Sequence, residues 1–226
     1  MQKKNLKCRE AMIHINSVED LNTVRKINQD LFQTVILILN EDLLFDNIPF
    51  EPIDASKMNV IIKGNNHFIL DLYINKKDKM EVGLFSRTKD FKIYNIRYFT
   101  HTTIGASCTG GLVGTVDGTA IVHNVCTNGI VQGESHCGGL FGTTKNLLLD
   151  CNPKIVETVI AKDIVGGVVG TSDKIINNNT NVYSSTTTVT GKVHGVIAGY
   201  NSEKMKEKIN QMLEDTFPYL KKNRKR

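Results

Sequence analysis

Five segments of one kind recur down this chain, and their spacing limits the fold more than any other feature. Val82-Gly83-Leu84-Phe85-Ser86 is followed by Gly110-Gly111-Leu112-Val113-Gly114 and Gly138-Gly139-Leu140-Phe141-Gly142. Gly166-Gly167-Val168-Val169-Gly170 and Gly195-Val196-Ile197-Ala198-Gly199 complete the series. The starts lie 28, 28, 28 and 29 residues apart. A fixed period of about 20–50 residues is the signature of a stacked repeat architecture.

Two further strand signals sit inside each period. An apolar segment ending in asparagine follows the glycine segment: Ile93-Tyr94-Asn95, Ile121-Val122-His123-Asn124, Leu148-Leu149-Asp150-Cys151-Asn152 and Ile175-Ile176-Asn177. A third segment comes next: Thr103-Ile104-Gly105, Ile130-Val131-Gln132-Gly133, Val159-Ile160-Ala161 and Thr188-Val189-Thr190-Gly191. Three short strands per period, joined by turns, predict a mainly β fold: a three-sided parallel coil of about 28 residues. One such coil has few inward side chains and cannot bury a core, but stacked coils form a continuous one. Five clear coils and one or two irregular ones, at about 4.8 Å each, would rise roughly 25–35 Å.

The ends differ from the middle. All 18 glycines lie between Gly64 and Gly199. At the start, Ser17 before Val18-Glu19-Asp20 reads as an N-cap, with Leu21, Val24, Ile27 and Leu31 as an apolar stripe, so a helix is expected over 17–32. Strands follow at 34–39, 59–63 and 67–74, with Pro49 and Pro52 between the first two. At the far end, Asn201-Ser202 caps a second expected helix over 203–220, with Met205, Ile209, Met212 and Leu213 on one face. Open strand edges at the ends of a solenoid invite aggregation, so both helices are read as caps. The organisation is one continuous domain: an N-terminal cap with its first strand over 1–54, coils over 55–200, and a C-terminal capping helix with a basic tail over 201–226.

The glycine segments resemble the GLUG-motif repeats, named for a Gly-Leu-apolar-Gly core. Gly111-Leu112-Val113-Gly114 and Gly139-Leu140-Phe141-Gly142 match as written, and Gly167-Val168-Val169-Gly170 matches with valine for leucine. The copies at Gly83 and at Gly195 to Gly199 are degraded. Ser17-Val18-Glu19-Asp20-Leu21 and Ile61-Ile62-Lys63-Gly64-Asn65-Asn66-His67 look like the segment that commonly precedes such repeats. The resemblance implies a right-handed parallel β-helix in which Gly83, Gly111, Gly114, Gly139, Gly142, Gly167, Gly170, Gly195 and Gly199 are structural. It also implies kinship with bacterial surface proteins, some of them adhesins, while leaving function open.

Charge narrows the partners. The formal charge of +5 comes from the last six residues, where Lys221, Lys222, Arg224, Lys225 and Arg226 leave a neutral body behind them. A broad nucleic-acid surface is therefore not implied, and only the tail offers itself for nucleic-acid or acidic-partner tethering. The five cysteines form no CxxC pair and suit reduced thiols. No apolar leader follows Met1-Gln2-Lys3-Lys4 and no run is long enough to span a bilayer, so a cytoplasmic location is expected, or a cell-surface one if an upstream signal has been removed.

Candidate chemistry is sparse. Residues 101–200 hold 11 charged side chains and no arginine. Asp117, Glu134, Asp150, Glu157, Asp163 and Asp173 fall at unmatched offsets within their coils and read as solvated turn residues rather than paired acids of a glycan-processing site. Cys108 and His136 each lie two residues before a glycine pair, hence on adjacent coils, while Cys137 and His194 are two coils apart. Neither arrangement supplies the four ligands of a zinc site. Thr115, Thr143 and Thr171 form one column, and the asparagines near 95, 124, 152 and 178 another, both read as turn ladders. Phe141, Tyr183 and Tyr200 sit at unmatched offsets, against a stacked glycan platform. The expectation is a non-enzymatic solenoid without metal or cofactor, contacting a protein partner or a like subunit through a lateral face. A carbohydrate-binding or carbohydrate-active β-helix is the alternative, with tethering through the tail third.

Overall fold

Parallel pairing runs through the described residues. The computed structural model describes residues 9–151, 153–178, 188–195 and 197–204. These form a parallel β-solenoid of about six turns.

Four ladders run along the stack. Ladder one joins Glu10–Ile15, Thr34–Leu39 and Asn59–Lys63 to residues 91–94, 120–123, 147–150 and 175–177. Ladder two joins Leu43–Leu44, Phe68–Asn75, residues 98–104 and 126–132, Lys154–Ile160 and Thr188–Thr190. Ladder three joins Ile53–Ala55, Phe85–Thr88, residues 113–116, 141–144 and 169–172, and Ala198–Asn201. A fourth, short ladder was not foreseen: Glu81–Val82, Cys108–Thr109, Cys137–Gly138, Ile164–Gly166 and Val193–Gly195. Strands continue around corners, so that the single strand Val113–Gln132 serves ladders three, one and two in turn.

Alternation fills the interior. On ladder one Val60, Ile62, Phe91, Ile93, Ala120, Val122, Leu147 and Leu149 are buried, every second residue, as a pleated strand with one buried face requires. Both apolar residues of the glycine segments join them: Leu112 with Val113, Leu140 with Phe141, and Val168 with Val169. Phe91 lies 6.0 Å from Phe85 and 5.9 Å from Phe141, ring centre to ring centre, tying three coils together.

The glycines serve close approach. None of the described ones has a positive φ. A Cβ added at Gly142 would sit 2.5 Å from the backbone of Cys108 and of Gly114, and one at Gly138 would sit 2.2 Å from the Phe141 carbonyl oxygen. The left-handed corner between ladders one and two instead uses Asn65, Asn66, Asn95, Asn124 and Cys151, with φ between 50° and 65°. Asparagine tolerates that region better than most residues. Asn124 Nδ2 donates to Asn95 Oδ1 at 2.9 Å, so the expected amide ladder exists there. One coil on, Cys151 holds the left-handed position; Asn152 lies outside the described residues.

The N-terminal helix is shorter than its apolar stripe suggests. A 3₁₀ turn, Val18–Asp20, leads into Leu21–Arg25. Asp20 Oδ2 accepts the N–H groups of Asn16 at 2.8 Å and Ser17 at 3.0 Å, and these bonds, led by that from Asn16, hold its carboxyl below the usual carboxylate range. Leu21 and Val24 are buried in the core, whereas Leu31 is exposed. The helix ends because Asn28 turns the chain: its side chain accepts Asp30 N–H at 3.0 Å and its carbonyl accepts Leu31 N–H at 3.0 Å. Before this helix lies Glu10–Ile15, a strand the sequence reading missed, pairing with Thr34–Leu39. At the other end Asn201 Oδ1 accepts Lys204 N–H at 3.0 Å and starts a helical turn. The remainder of the expected 203–220 helix and the basic tail lie outside the described residues. No helix among the described residues is long and apolar enough to cross a membrane.

Candidate functional site

Ladder two places Leu72, His101, Gly129 and Glu157 in one inward column, one residue per coil. Gly129 has no side chain, so the imidazole from one coil and the carboxylate from two coils on meet across its level. His101 Nε2 lies 3.3 Å from Glu157 Oε2, and neither side chain has any exposed surface. Thr127 Oγ1 donates to Glu157 Oε1 at 2.7 Å. Thr103 Oγ1 lies 3.4 Å from His101 Nδ1, and the Phe99 ring stacks on the imidazole at 4.6 Å. His101 Nε2 and Glu157 Oε2 form no aligned hydrogen bond, so they meet by distance alone, and the contact is an ion pair only with a protonated imidazole.

Three glycines shape this chamber. A Cβ at Gly129 would stand 2.2 Å from His101 Nε2, one at Gly111 would stand 2.3 Å from His101 Cε1, and one at Gly139 would stand 2.4 Å from Glu157 Cγ. The second glycine of a repeat's pair thus makes room for a polar group on the opposite ladder. Burying charges costs several kcal/mol each, which only close pairing and hydrogen bonding offset. Both side chains are sealed from solvent, so the pair lies within the core of the stack.

The other acids lie at the surface, mostly in bonds between neighbouring coils. Asp117 accepts Arg87 Nη2 at 2.6 Å, and Arg87 also reaches Glu81 at 3.0 Å. Glu134 pairs with Lys162 at 2.7 Å, Asp163 with Lys192 at 3.0 Å and Asp150 with His123 at 3.1 Å. Asp173 accepts Ser202 Oγ at 3.0 Å. The expectation that all six acids are solvated therefore fails at Glu157, which is buried against His101.

The metal candidates are placed as their offsets implied. Thr109 pairs with Cys137, which puts Cys108 level with His136, and Cys137 is separated from His194 by Val165. No group of three or more histidine, cysteine, aspartate or glutamate side chains that could hold a metal occurs among the described residues. Burial pushes the Cys137 thiol up to about 12 and raises Cys126, and burial lowers His136. Such thiols are protonated and unreactive at neutral pH. Cys137 Sγ donates to the Ser135 carbonyl at 3.4 Å instead. Thr115, Thr143 and Thr171 do stack, with Thr143 Oγ1 donating to Thr115 Oγ1 at 3.3 Å.

Outward residues of ladder two form the second feature of interest. Three columns run along it: Thr100, Asn128 and Val156; Thr102, Ile130 and Thr158; Ile104, Gln132, Ile160 and Thr190. Ile130 is 48% exposed and Ile160 43%. Asp71 and Lys154, both exposed, are the outward charges within its described strands. Ladder one, by contrast, carries Lys63, Lys92 and Lys174, and Arg87 lies on ladder three.

Comparison with known proteins adds little to this geometry. No family model matches the chain, and no solved structure matches it. The chain is similar to Halomucin of Haloquadratum walsbyi, 33% identical over 106 residues. That stretch is 44% of this chain and 1% of Halomucin.

Proposed function

We propose that this chain is a non-enzymatic β-solenoid serving as a structural or interaction module, which contacts a protein partner or another copy through a lateral face. On this reading its coils turn through three long sides. The observation that carries this reading is the outward face of ladder two: regular, rich in threonine and isoleucine, with Asp71 and Lys154 as the only outward charges within its described strands. Depletion of charge with exposed apolar side chains is what the centre of a protein interface looks like. Similarity to Halomucin is compatible with a structural role. The thiols of Cys108, Cys126 and Cys137, which form no disulfide, suit a reducing compartment.

Site-specific photo-crosslinking in the source cell tests this. A photoreactive residue at Thr102 or Thr158 is expected to give discrete protein adducts, with little at Thr143 on ladder three. Equal yields at all three positions would overturn the reading. Adducts to glycan alone would return the carbohydrate-binding alternative.

A further inference from the structure

The same face supports a more specific statement, which rests on the interaction-module reading: we infer that its occupant is a second copy of this chain, packed face to face with its solenoid axis reversed. The first argument is area. The three rungs over 98–104, 126–132 and 154–160 are each seven residues long, about 23 Å at about 3.3 Å per residue, and the five rungs from Phe68–Asn75 to Thr188–Thr190 span about 24 Å at about 4.8 Å each. Because the rung of Thr188–Thr190 is only three residues long, the face offers roughly 500 Å² per copy, and a pair covers about 1,000 Å², the lower bound for a specific interface.

The second argument is self-complementarity. A two-fold axis along the strand direction at the middle rung, 126–132, sets Ile130 against Ile130 of the second copy. The same operation sets Thr102 of one copy against Thr158 of the other, and threonine again against threonine. It brings Lys154 of one copy one rung and two residues from Asp71 of the other, within reach of a lysine side chain. Within the described strands of the face, no like charges are opposed. An isologous contact of this kind is the usual route to a closed homodimer. Two parallel sheets facing at about 10 Å interleave such side chains without rearrangement.

Sedimentation of the full chain from micromolar to high micromolar concentration reads the outcome. A monomer–dimer equilibrium is expected, weakened about 30-fold or more by Ile130→Arg at the centre of the face. Ile176→Arg is the matched control, because Ile176 is 43% exposed but belongs to ladder one. Circular dichroism keeps both variants comparable with the parent. A dimer lost only with Ile130→Arg supports the inference. A chain that stays monomeric throughout overturns self-association, and then foreign adducts at Thr102 would still uphold the interaction-module reading. A dimer insensitive to Ile130→Arg overturns the assigned face.

Discussion

At the residue scale, the His101–Glu157 pair is the chain's most costly placement and its most informative one. Two ionisable side chains without exposed surface survive together because Gly111, Gly129 and Gly139 leave them space and Thr127 supplies a donor. Truncation of one partner strands the other. Glu157→Ala is expected to lower stability by about 3–5 kcal/mol. The double change His101→Leu with Glu157→Leu is expected to cost much less than the two single changes combined, since the apolar pair needs no compensation. Urea unfolding of the parent, Glu157→Ala, the two single leucine variants and the double variant measures this; a Glu157→Ala loss under about 1 kcal/mol would show that the pair carries no coupling. The column was legible beforehand: stepping back from Glu157 by the period of 28 reaches Gly129 and then His101. Offsets measured among acids alone hide it, because the partner is a histidine two coils away.

At the element scale, the repeat read from glycine spacing gives the parallel stack but understates each coil. The fourth ladder is two or three residues per rung, too short for any apolar run to announce it. Glu10–Ile15 carries no glycine motif and so stood outside the pattern, although its pairing with Thr34–Leu39 is continuous. The helix over 17–32 was overdrawn because spacing cannot register the Asn28 turn. The glycines themselves fall into kinds that the sequence does not distinguish. A methyl group at Gly142 meets backbone atoms of Cys108, Gly114 and Thr109, all within 2.6 Å, and these belong to two neighbouring segments that cannot move apart without breaking ladders. One at Gly118 meets chiefly the Asp90 carboxylate, a side chain able to swing away. Gly142→Ala is therefore expected to cost about 3 kcal/mol or more and Gly118→Ala about 1 kcal/mol. Thermal or urea unfolding of both variants checks the order, and a reversed order would refute the close-approach assignment.

At the scale of the whole molecule, a solenoid is held by nearest-neighbour contacts, so its stability varies along the axis. Among the described strands, Glu10–Ile15 pairs only with Thr34–Leu39, and Ala198–Asn201 only with residues 169–172, whereas Val113–Gln132 is paired on both edges. Local opening draws first on segments with few buried contacts and one-sided hydrogen bonding. Amide exchange should therefore be slowest across 113–149 and fastest in the two end strands. The His101–Glu157 pair adds a longer coupling, because it links coils that are not adjacent and spans the rung of Gly129 between them. In Glu157→Gln, exchange is expected to quicken together over 98–104, 126–132 and 154–160, while 34–39 and 59–63 keep their rates. Mass spectrometry at peptide resolution separates the outcomes. Acceleration confined to 154–160 would mean that each coil answers only to its neighbour, and uniform acceleration would mean that the stack opens as one unit; either removes the pair's role as a three-coil clamp.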